Sequence, residues 1–335
     1  MTSLRELSDG RVLMTDGREQ RFLILDFAKQ TAEPIGRKGN GPNEYSMVFQ
    51  LHPAGGDSSV MGDILLRRLL LLDGPRVVAT VPPDHPALVA TKGYVFGSDA
   101  LGRILSFDLA EPPNGVSTTT LADSQIVLLV NRARAGVDSM ARLRKAPTRR
   151  EVQRDDKKVI RSSSNMVIGE FPSEEKAILF ADGWLGIARL EPFRVDWRAA
   201  DGKWVRGAAL PVKRIPVDAR EKSAHAGRRA AAQAQQGPLP RNMPPQPGLG
   251  EYPEFVPPFG ISSVLVAGPA GLLIIKRHTS ADYTASHYFV VDRAGKLVGE
   301  LSLPANETIV GAGPKSLYIA VKDEDDVIRL RRHPW

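Results

Sequence analysis

The chain has 335 residues, of which 42% are hydrophobic and 25% are charged, a composition typical of a soluble globular protein that excludes disorder throughout. It contains no cysteine, which excludes disulfides and thiol chemistry and removes the softest zinc ligands. Its longest apolar stretches, such as residues 64–72, contain arginine and are shorter than the roughly 20 residues that cross a bilayer, so no transmembrane helix is predicted.

The first predicted elements are three short strands near the start of the chain, at residues 12–16, 21–26 and 32–36. The middle one shows a recognisable pattern, because Arg21 opens a run of four apolar residues that Asp26 closes. An aspartate at this position favours a turn, since its side chain accepts hydrogen bonds from nearby backbone amides. These strands predict one antiparallel unit, which a glycine-rich segment at residues 36–45 then follows.

The same strand pattern recurs along the chain. It is seen again at residues 68–73 and 287–292, and a similar run at 103–108 is assigned one strand earlier in its unit. Spacings of about 35 to 50 residues between such runs are typical of repeated four-stranded sheets. One such sheet cannot bury both of its faces, so the pattern predicts sheets stacked around a common axis.

The glycine-rich segment carries the most specific pattern in the chain. After Gly36-Arg37 it reads Gly39-Asn40-Gly41-Pro42-Asn43-Glu44-Tyr45. This resembles the six-bladed β-propeller proteins of the NHL-like type, in which a strand ending in Gly-Arg leads into Gly-x-Gly-Pro-Gly-Glu-Phe between blades. Asn43 and Tyr45 stand where that pattern has glycine and phenylalanine. The resemblance implies an all-β fold with six blades and points to no particular reaction.

The resemblance and the repeats together predict a single domain over residues 1–335. Blade six is expected to have three strands unless residues 1–3 pair with it. The predicted blades are 3–37, 47–82, a third from residue 87 through 125–131 and 138–143, and then 178–212, 261–303 and 307–334.

Two insertions interrupt this repeat, a basic one at residues 145–176 and a second at 218–259. Residues 219–236 are rich in good helix formers, so they predict a helix of three to five turns. Eight prolines between 237 and 258 then favour an extended, polyproline-like path. In the chains that this one resembles, a Tyr-Pro-x-x-x-Pro-Pro run likewise leads back into blade five, and residues 252–258 match it. Packing of this segment across a propeller face would place it where ligands enter.

The net charge of +7 is concentrated in one stretch. Residues 132–161 hold eleven Lys or Arg and four acids, which is the whole excess. One interpretation is a solvated loop over the propeller face, and the other is a docking patch for an anionic partner. No aromatic residue interleaves these charges, which argues against a surface for stacking bases.

Local motifs do not reveal a reaction. Residues 36–45 lack the Gly-Lys-Ser/Thr ending of a phosphate loop, and a Gly-x-Ser-x-Gly motif is absent. The six histidines lack metal-ligand spacing.

Three groups of residues are each open to two interpretations. Asp84-His85 is a solvated turn or a channel group; residues 323–326 are a solvated turn or a calcium site; and Trp184, Trp197 and Trp204 are core or a carbohydrate platform.

Some propellers of similar architecture, of the gluconolactonase and paraoxonase types, hold a catalytic calcium in the central channel through Glu, Asn and Asp. Asp99, Asn165 and Asp182 are residues of the right type, but no local motif selects them. We therefore assign no catalytic, cofactor-binding or metal-binding residue from the sequence, and calcium is the one cofactor that the resemblance raises.

The functional expectation is a non-catalytic binding or interaction module that presents a ligand face. Its partner is a protein, a glycan or a small molecule of unknown identity, with an anionic partner considered at residues 132–161, and we expect a monomer. The alternative is a calcium-dependent lactonase or esterase with its metal in the central channel. The sequence leaves open whether the protein is an enzyme, and it favours a non-catalytic role.

Export is expected from the resemblance alone, since chains of this type are usually periplasmic or extracellular. Residues 1–7 contain no basic region followed by an apolar run, so they do not form a signal peptide. The sequence opens almost directly on what looks like blade one, at residues 7–13, so a trimmed N-terminus is expected.

Overall fold

The computed structural model describes residues 2–335 except 18, 42, 109–119, 135, 151, 156–157, 163–165, 168–169, 236–250, 279–280, 282–283 and 326. Six antiparallel sheets follow one another along this part of the chain, and each stacks against the next. The protein is an all-β, six-bladed β-propeller, as the sequence predicts.

Blades one and two are regular four-stranded sheets in which strands that follow each other in the chain pair antiparallel. The strand patterns opened by Arg21 and Arg68 are the third strand of each blade, at the predicted bounds. Blade one contains β1 (Thr2–Glu6), β2 (Val12–Asp16), β3 (Arg21–Asp26) and β4 (Thr31–Pro34), and blade two contains β5 (Val48–Pro53), β6 (Ser58–Asp63), β7 (Arg68–Asp73) and β8 (Arg76–Val81).

Blade three follows the short helix α1 (Pro86–Ala90) and has two long strands. Its second strand begins at Arg103, which confirms the position predicted for that run. Within the basic stretch at residues 132–161, most of the described residues lie in strands, so the interpretation of this stretch as a solvated loop is wrong there. The strands are β9 (Gly97–Ser98), β10 (Arg103–Phe107), β11 (Thr120–Asn131), β12 (Val137–Arg150), a separate hairpin of β13 (Val152–Asp155) and β14 (Lys158–Ser162), and β15 (Met166–Val167), which pairs with β12.

Blades four and five have four strands each, and the helix α2 (Ala219–Gln235) lies between them in the chain, at the predicted position. Blade four contains β16 (Lys176–Leu179), β17 (Leu185–Leu190), β18 (Phe193–Arg198) and β19 (Trp204–Val205). A small pair, β20 (Ile215–Pro216) and β21 (Phe255–Val256), flanks α2. Most of the proline-rich segment lies outside the described residues. Blade five contains β22 (Leu265–Ala267), β23 (Leu273–Lys276), β24 (Ala285–Val291) and β25 (Leu297–Pro304).

Blade six has three strands in the described part of the chain, β26 (Glu307–Ala312), β27 (Ser316–Lys322) and β28 (Ile328–Pro334). The N-terminal strand β1 pairs with β2 of blade one, so it adds no strand to blade six. The expectation of a three-stranded last blade is therefore confirmed.

The core lies between neighbouring sheets. Alternate residues of a strand point to opposite faces of its sheet, so each blade offers one apolar set to each neighbour. Leu13 and Phe22 of blade one pack with Leu70 of blade two in a buried cluster. Trp197 is fully buried between blades four and five, and its Nε1 donates to the carbonyl oxygen of Asp292 at 2.9 Å. Trp197 is thus a core residue.

The glycine-rich segment joins blades one and two through its own hydrogen bonds. Glu44 accepts from the backbone N–H of Gly41 at 2.8 Å and pairs with Arg37 at 2.5 Å, and these two contacts, the backbone bond first, lower the pKa of its carboxyl. Arg68 of blade two donates to the carbonyl oxygens of Gly41 and Glu44. The segment is a structural joint, and Glu44 is its hydrogen-bond acceptor.

Blades one and six meet at a seam held by side chains. Arg332 on β28 donates to Glu6 on β1 at 2.8 Å. Leu4 packs so closely on Gly311 that a Cβ there would lie 2.5 Å from the leucine Cδ1. This seam closes the ring.

Gly207 marks a close approach between blades four and five. A Cβ on Gly207 would lie 2.2 Å from the carbonyl oxygen of Val195, and one on Gly295 would lie 2.7 Å from the Gly207 Cα. The Gly207→Ala variant is expected to lose about 3 kcal/mol of unfolding free energy, because overpacking against fixed backbone strains the blade. Urea unfolding measures this. The matched control is Gly299→Ala, since its Cβ would meet no atom within 4 Å; equal midpoints for the two variants would contradict the prediction.

Candidate functional site in the central channel

The six inner strands β1, β5, β9, β16, β22 and β26 surround a channel of about 1010 Å³. In each four-stranded blade the inner strand starts at the face that carries the connection from the previous blade. We call this face the entry face. The insertion that contains α2 joins blades four and five there, so the entry-face mouth of the channel is the part of the molecule best placed to receive a ligand.

Charged residues gather at the entry-face mouth where β16 begins. Lys176 donates from Nζ to the carbonyl oxygen of Ile261 at 2.7 Å and lies 3.5 Å from Glu174. Burial lowers the pKa of Lys176 from its usual value, while the carboxylate of Glu174 opposes that shift. Glu175 is held by Arg189 at 2.7 Å. Both carboxylates at this mouth are therefore paired with a cation.

Lys145 lines the same mouth and differs from its neighbours. The backbone N–H of Glu175 donates to the carbonyl oxygen of Arg144 at 2.8 Å, which places β12 beside the channel. Lys145 is half-buried, and its ammonium makes no hydrogen bond or ion pair with the described part of the chain. Gln125 on β11 also lines the channel. An ammonium that no described group pairs with, in a channel that a side-chain amide also lines, can bind an anionic group.

Two other ionisable residues of the channel serve the scaffold. Arg5 donates to Ser59 Oγ at 2.5 Å and to two backbone carbonyls of blade two, and burial lowers its pKa. It therefore fixes blade one against blade two. Burial lowers the pKa of His52 to about 4, opposed by a hydrogen bond with the backbone at Val95, so this imidazole is neutral at pH 7.

The acids considered as calcium ligands have other partners. Asp99 accepts from the backbone N–H groups of Leu101 and Arg103 and pairs with the Arg103 guanidinium at 2.7 Å. Asp182 pairs with Arg293 at 2.6 Å. Asn165 lies outside the described residues. In the part of the chain that the structure describes, no three His, Asp or Glu side chains are grouped as metal ligands.

Two further candidates have local roles. His85 caps α1, because its Nδ1 accepts from the backbone N–H of Ala87 at 3.3 Å. Asp323 accepts from the backbone N–H of Val327 at 2.9 Å and pairs with Arg329, as a turn residue does. Asp326 lies outside the described residues.

The tryptophans do not form a platform. Trp184 packs edge-on against the buried Trp197, with ring centroids 6.2 Å apart. Trp204 is 43% exposed and lies at the start of β19. Core packing, the first of the two interpretations, therefore applies to Trp184 and Trp197, and Trp204 is exposed.

The helix α2 is fixed to the entry face through a buried carboxylate that the sequence analysis missed. The Glu170 side chain is 1% exposed; its two oxygens lie 2.6 Å from His225 Nε2 and 2.8 Å from Arg229 Nη1. Phe171 stacks on His225 with centroids 4.2 Å apart and meets His278 edge-on. Burial lowers the pKa of His225, and the nearby Glu170 raises it in part. No local pattern around Glu170 signals this pairing.

Comparisons with known proteins give matches of overall shape only. No family model and no curated protein matches the chain. Solved structures that are similar over nearly the whole chain include a member of the DUF4221 family from Bacteroides vulgatus (9% identity, covering 100% of this chain and 93% of that one, TM-score 0.49). Others are a streptogramin B lyase (11%, 99% and 83%, 0.40) and the calcium-binding protein regucalcin from Agrobacterium tumefaciens (14%, 97% and 84%, 0.34). At these values the similarity carries no argument about function.

None of the described helices is long and apolar enough to cross a membrane.

Proposed function

We propose that this propeller is a non-catalytic binding module that takes a small anionic ligand at the entry-face mouth of its central channel. One observation carries the proposal: Lys145 lines the mouth, half-buried, with no partner for its ammonium in the described chain. A charged hydrogen bond in such a partly desolvated place is stronger than one on an open surface.

The surroundings of Lys145 support an anion rather than a cation. Glu174 and Glu175 are already paired with Lys176 and Arg189, so neither carboxylate repels an incoming negative group at full strength. The channel, about 1010 Å³, is at the upper end of the range of roughly 300 to 1,000 Å³ typical of small-molecule sites. The basic stretch in which the sequence analysis considered an anionic partner includes this lysine.

A titration with citrate tests the proposal. Wild-type protein is expected to bind citrate, and Lys145→Gln is expected to weaken binding about tenfold, because one charge-assisted hydrogen bond is lost. Lys203→Gln is the matched control, since Lys203 is exposed in the turn before β19. Isothermal titration calorimetry at low and moderate salt measures both. No citrate binding, or equal affinities for the Lys145 and Lys203 variants, would overturn the proposal.

Calcium-dependent hydrolysis, the alternative raised by the sequence, gains no support from the described residues. The same titration separates the two functions, since anion binding through Lys145 is expected to persist in EDTA. Export and a monomeric state stay predictions.

A further inference from the structure

Aromatic side chains lie at the entry-face mouth, in the same channel as the charged groups already described. Phe96, which precedes β9, and Phe107, the last residue of β10, are half-buried and both line the channel. Their ring centroids lie 4.9 Å apart, with the ring planes inclined by 57°. Tyr94, which is 37% exposed, lies nearly parallel to Phe96 with centroids 6.4 Å apart. Three rings therefore lead from the protein surface into the channel.

Strand pairing in blade three aligns Phe107 with Gln125. Phe107 pairs with Val127 of β11, and Gln125 lies two residues earlier on that strand. Since side chains two residues apart share one face of a sheet, Gln125 projects to the same side as Phe107. This side is turned toward blade four, because Phe107 and Val127 pack in one cluster with Leu185 of that blade. An aromatic ring and a side-chain amide thus follow each other along one face at the mouth.

Lys145 lies at an irregularity of the next strand pair. The register of β12 against β11 shifts there, so that residues 145–147 oppose Asp123 alone. A bulge of this kind bends the strand and redirects its side chains, and such bulges are frequent beside functional sites. The regular pairing of β12 is therefore interrupted at the lysine that lines the channel mouth.

These side chains border open space. The channel has a volume of about 1010 Å³, and Phe96 and Phe107 are only half-buried in its wall, so part of each ring faces the channel. A ring that enters can pack on them, because aromatic rings attract one another in edge-to-face or offset arrangements. From the level of Phe107 to Gln125 the strand advances two residues, about 7 Å. A carboxylate therefore needs a short spacer from such a ring to reach the polar part of the mouth.

We propose that the anionic ligand of this mouth is an aryl carboxylate, with its ring on Phe96 and Phe107 and its carboxylate on Lys145. This inference rests on the proposed function and names the ligand class of the same site. The rings select the aromatic part, since burial removes its hydrocarbon from water and ring contacts add to that gain. The ammonium selects the carboxylate through a charge-assisted hydrogen bond, and the amide of Gln125 can donate a second one.

Calorimetric titration of the full chain with four matched compounds tests the ligand class. The compound 3-phenylpropionate is expected to bind at least tenfold more tightly than propionate, because its ring is buried. It is expected to bind about threefold more tightly than 3-cyclohexylpropionate, since contacts between aromatic rings contribute beyond the buried area. The neutral 3-phenylpropionamide is expected to bind at least tenfold more weakly than 3-phenylpropionate, because it lacks the charge.

Variants locate the two parts of the ligand. Phe107→Leu and Phe96→Leu are each expected to weaken 3-phenylpropionate binding about fivefold and to lower its affinity ratio to propionate, because leucine is apolar but has no ring. Lys145→Gln is expected to weaken it about tenfold. The matched control is Phe255→Leu, a half-buried phenylalanine of β21 outside the channel lining, with wild-type affinity expected. A thermal unfolding midpoint equal to that of the wild type verifies that each variant is folded.

The outcomes separate this inference from the proposed function. If citrate binds through Lys145 but 3-phenylpropionate binds no more tightly than propionate, the aryl class is overturned and the proposed function stands. Equal affinities for 3-phenylpropionate and 3-cyclohexylpropionate, or equal affinities in the Phe107, Phe96 and Phe255 variants, would also overturn the aryl class. If neither citrate nor 3-phenylpropionate binds, both proposals fail.

Discussion

Lowering the pH from 6.5 to 4 is expected to destabilise the protein by on the order of 2 to 3 kcal/mol for each of two buried histidines. Burial lowers the pKa of His52 to about 4, and it lowers that of His278 to about 4 with help from the nearby His225 and Arg228. In the unfolded chain both groups titrate near 6.5.

The sign follows from proton binding. Between pH 4 and 6.5 the unfolded chain binds protons at these histidines that the folded chain does not, so the unfolding free energy rises with pH in this window. Above 6.5 both states are neutral and the effect is absent. As the pH falls, stability is lost progressively until about 4.

Urea unfolding at pH 7, 5.5 and 4.5 measures the effect. The variant His278→Gln is expected to remove its own contribution of about 2 to 3 kcal/mol, since glutamine does not titrate. His52 and His225, whose pKa values are also lowered by burial, keep theirs. The control is His333→Gln, because His333 is exposed on β28. If the unfolding free energy of the His278 variant depends on pH as steeply as that of the wild type, this imidazole is not a source of the pH dependence.

The Glu170→Gln variant is expected to weaken the attachment of α2 to the entry face by about 1 to 2 kcal/mol. The change keeps the size of the side chain but removes the charge that compensates Arg229 and the contact with His225. Arg229 is 37% exposed, so water can solvate part of its charge and the cost is smaller than that of breaking a fully buried ion pair.

Limited trypsin cleavage after Arg228 and Arg229 measures this release, since both bonds lie inside α2. The cleavage rate in α2 is expected to rise roughly tenfold, in line with the loss of local stability. Glu254→Gln is the matched control, because Glu254 is exposed beside β21. Equal cleavage rates in the two variants would mean that the Glu170 carboxylate does not hold the helix.

The architecture was predictable because its signals are local. The run that Arg21 opens and the run that Arg68 opens became strands at the predicted bounds, since alternation and a closing aspartate specify a strand and its turn within six residues. The helix predicted at 219–236 is Ala219–Gln235, because propensity and the following prolines act within the same segment.

The site was predictable only in part. The sequence marked 132–161 as basic, but it did not show that β12 carries Lys145 to the channel mouth, because that depends on how far two strands of blade three extend. The pairing of Glu170 with His225 joins segments on either side of blade four, and no spacing rule connects them. The expectation of a loop failed in the basic stretch, since cross-strand pairing there outweighs the solvation of like charges.

The seam between blades one and six affects the channel as a whole. Five junctions of the ring follow the chain from one blade into the next, whereas the sixth is held by side-chain contacts, which include Arg332 on Glu6, Leu4 on Gly311 and Phe27 on Tyr318. The distance between β1 and β26 can therefore change without breaking a hydrogen bond of any sheet. A substitution at this seam is therefore expected to change the spacing of β1 and β26 at the channel wall while the sheet of each blade is kept.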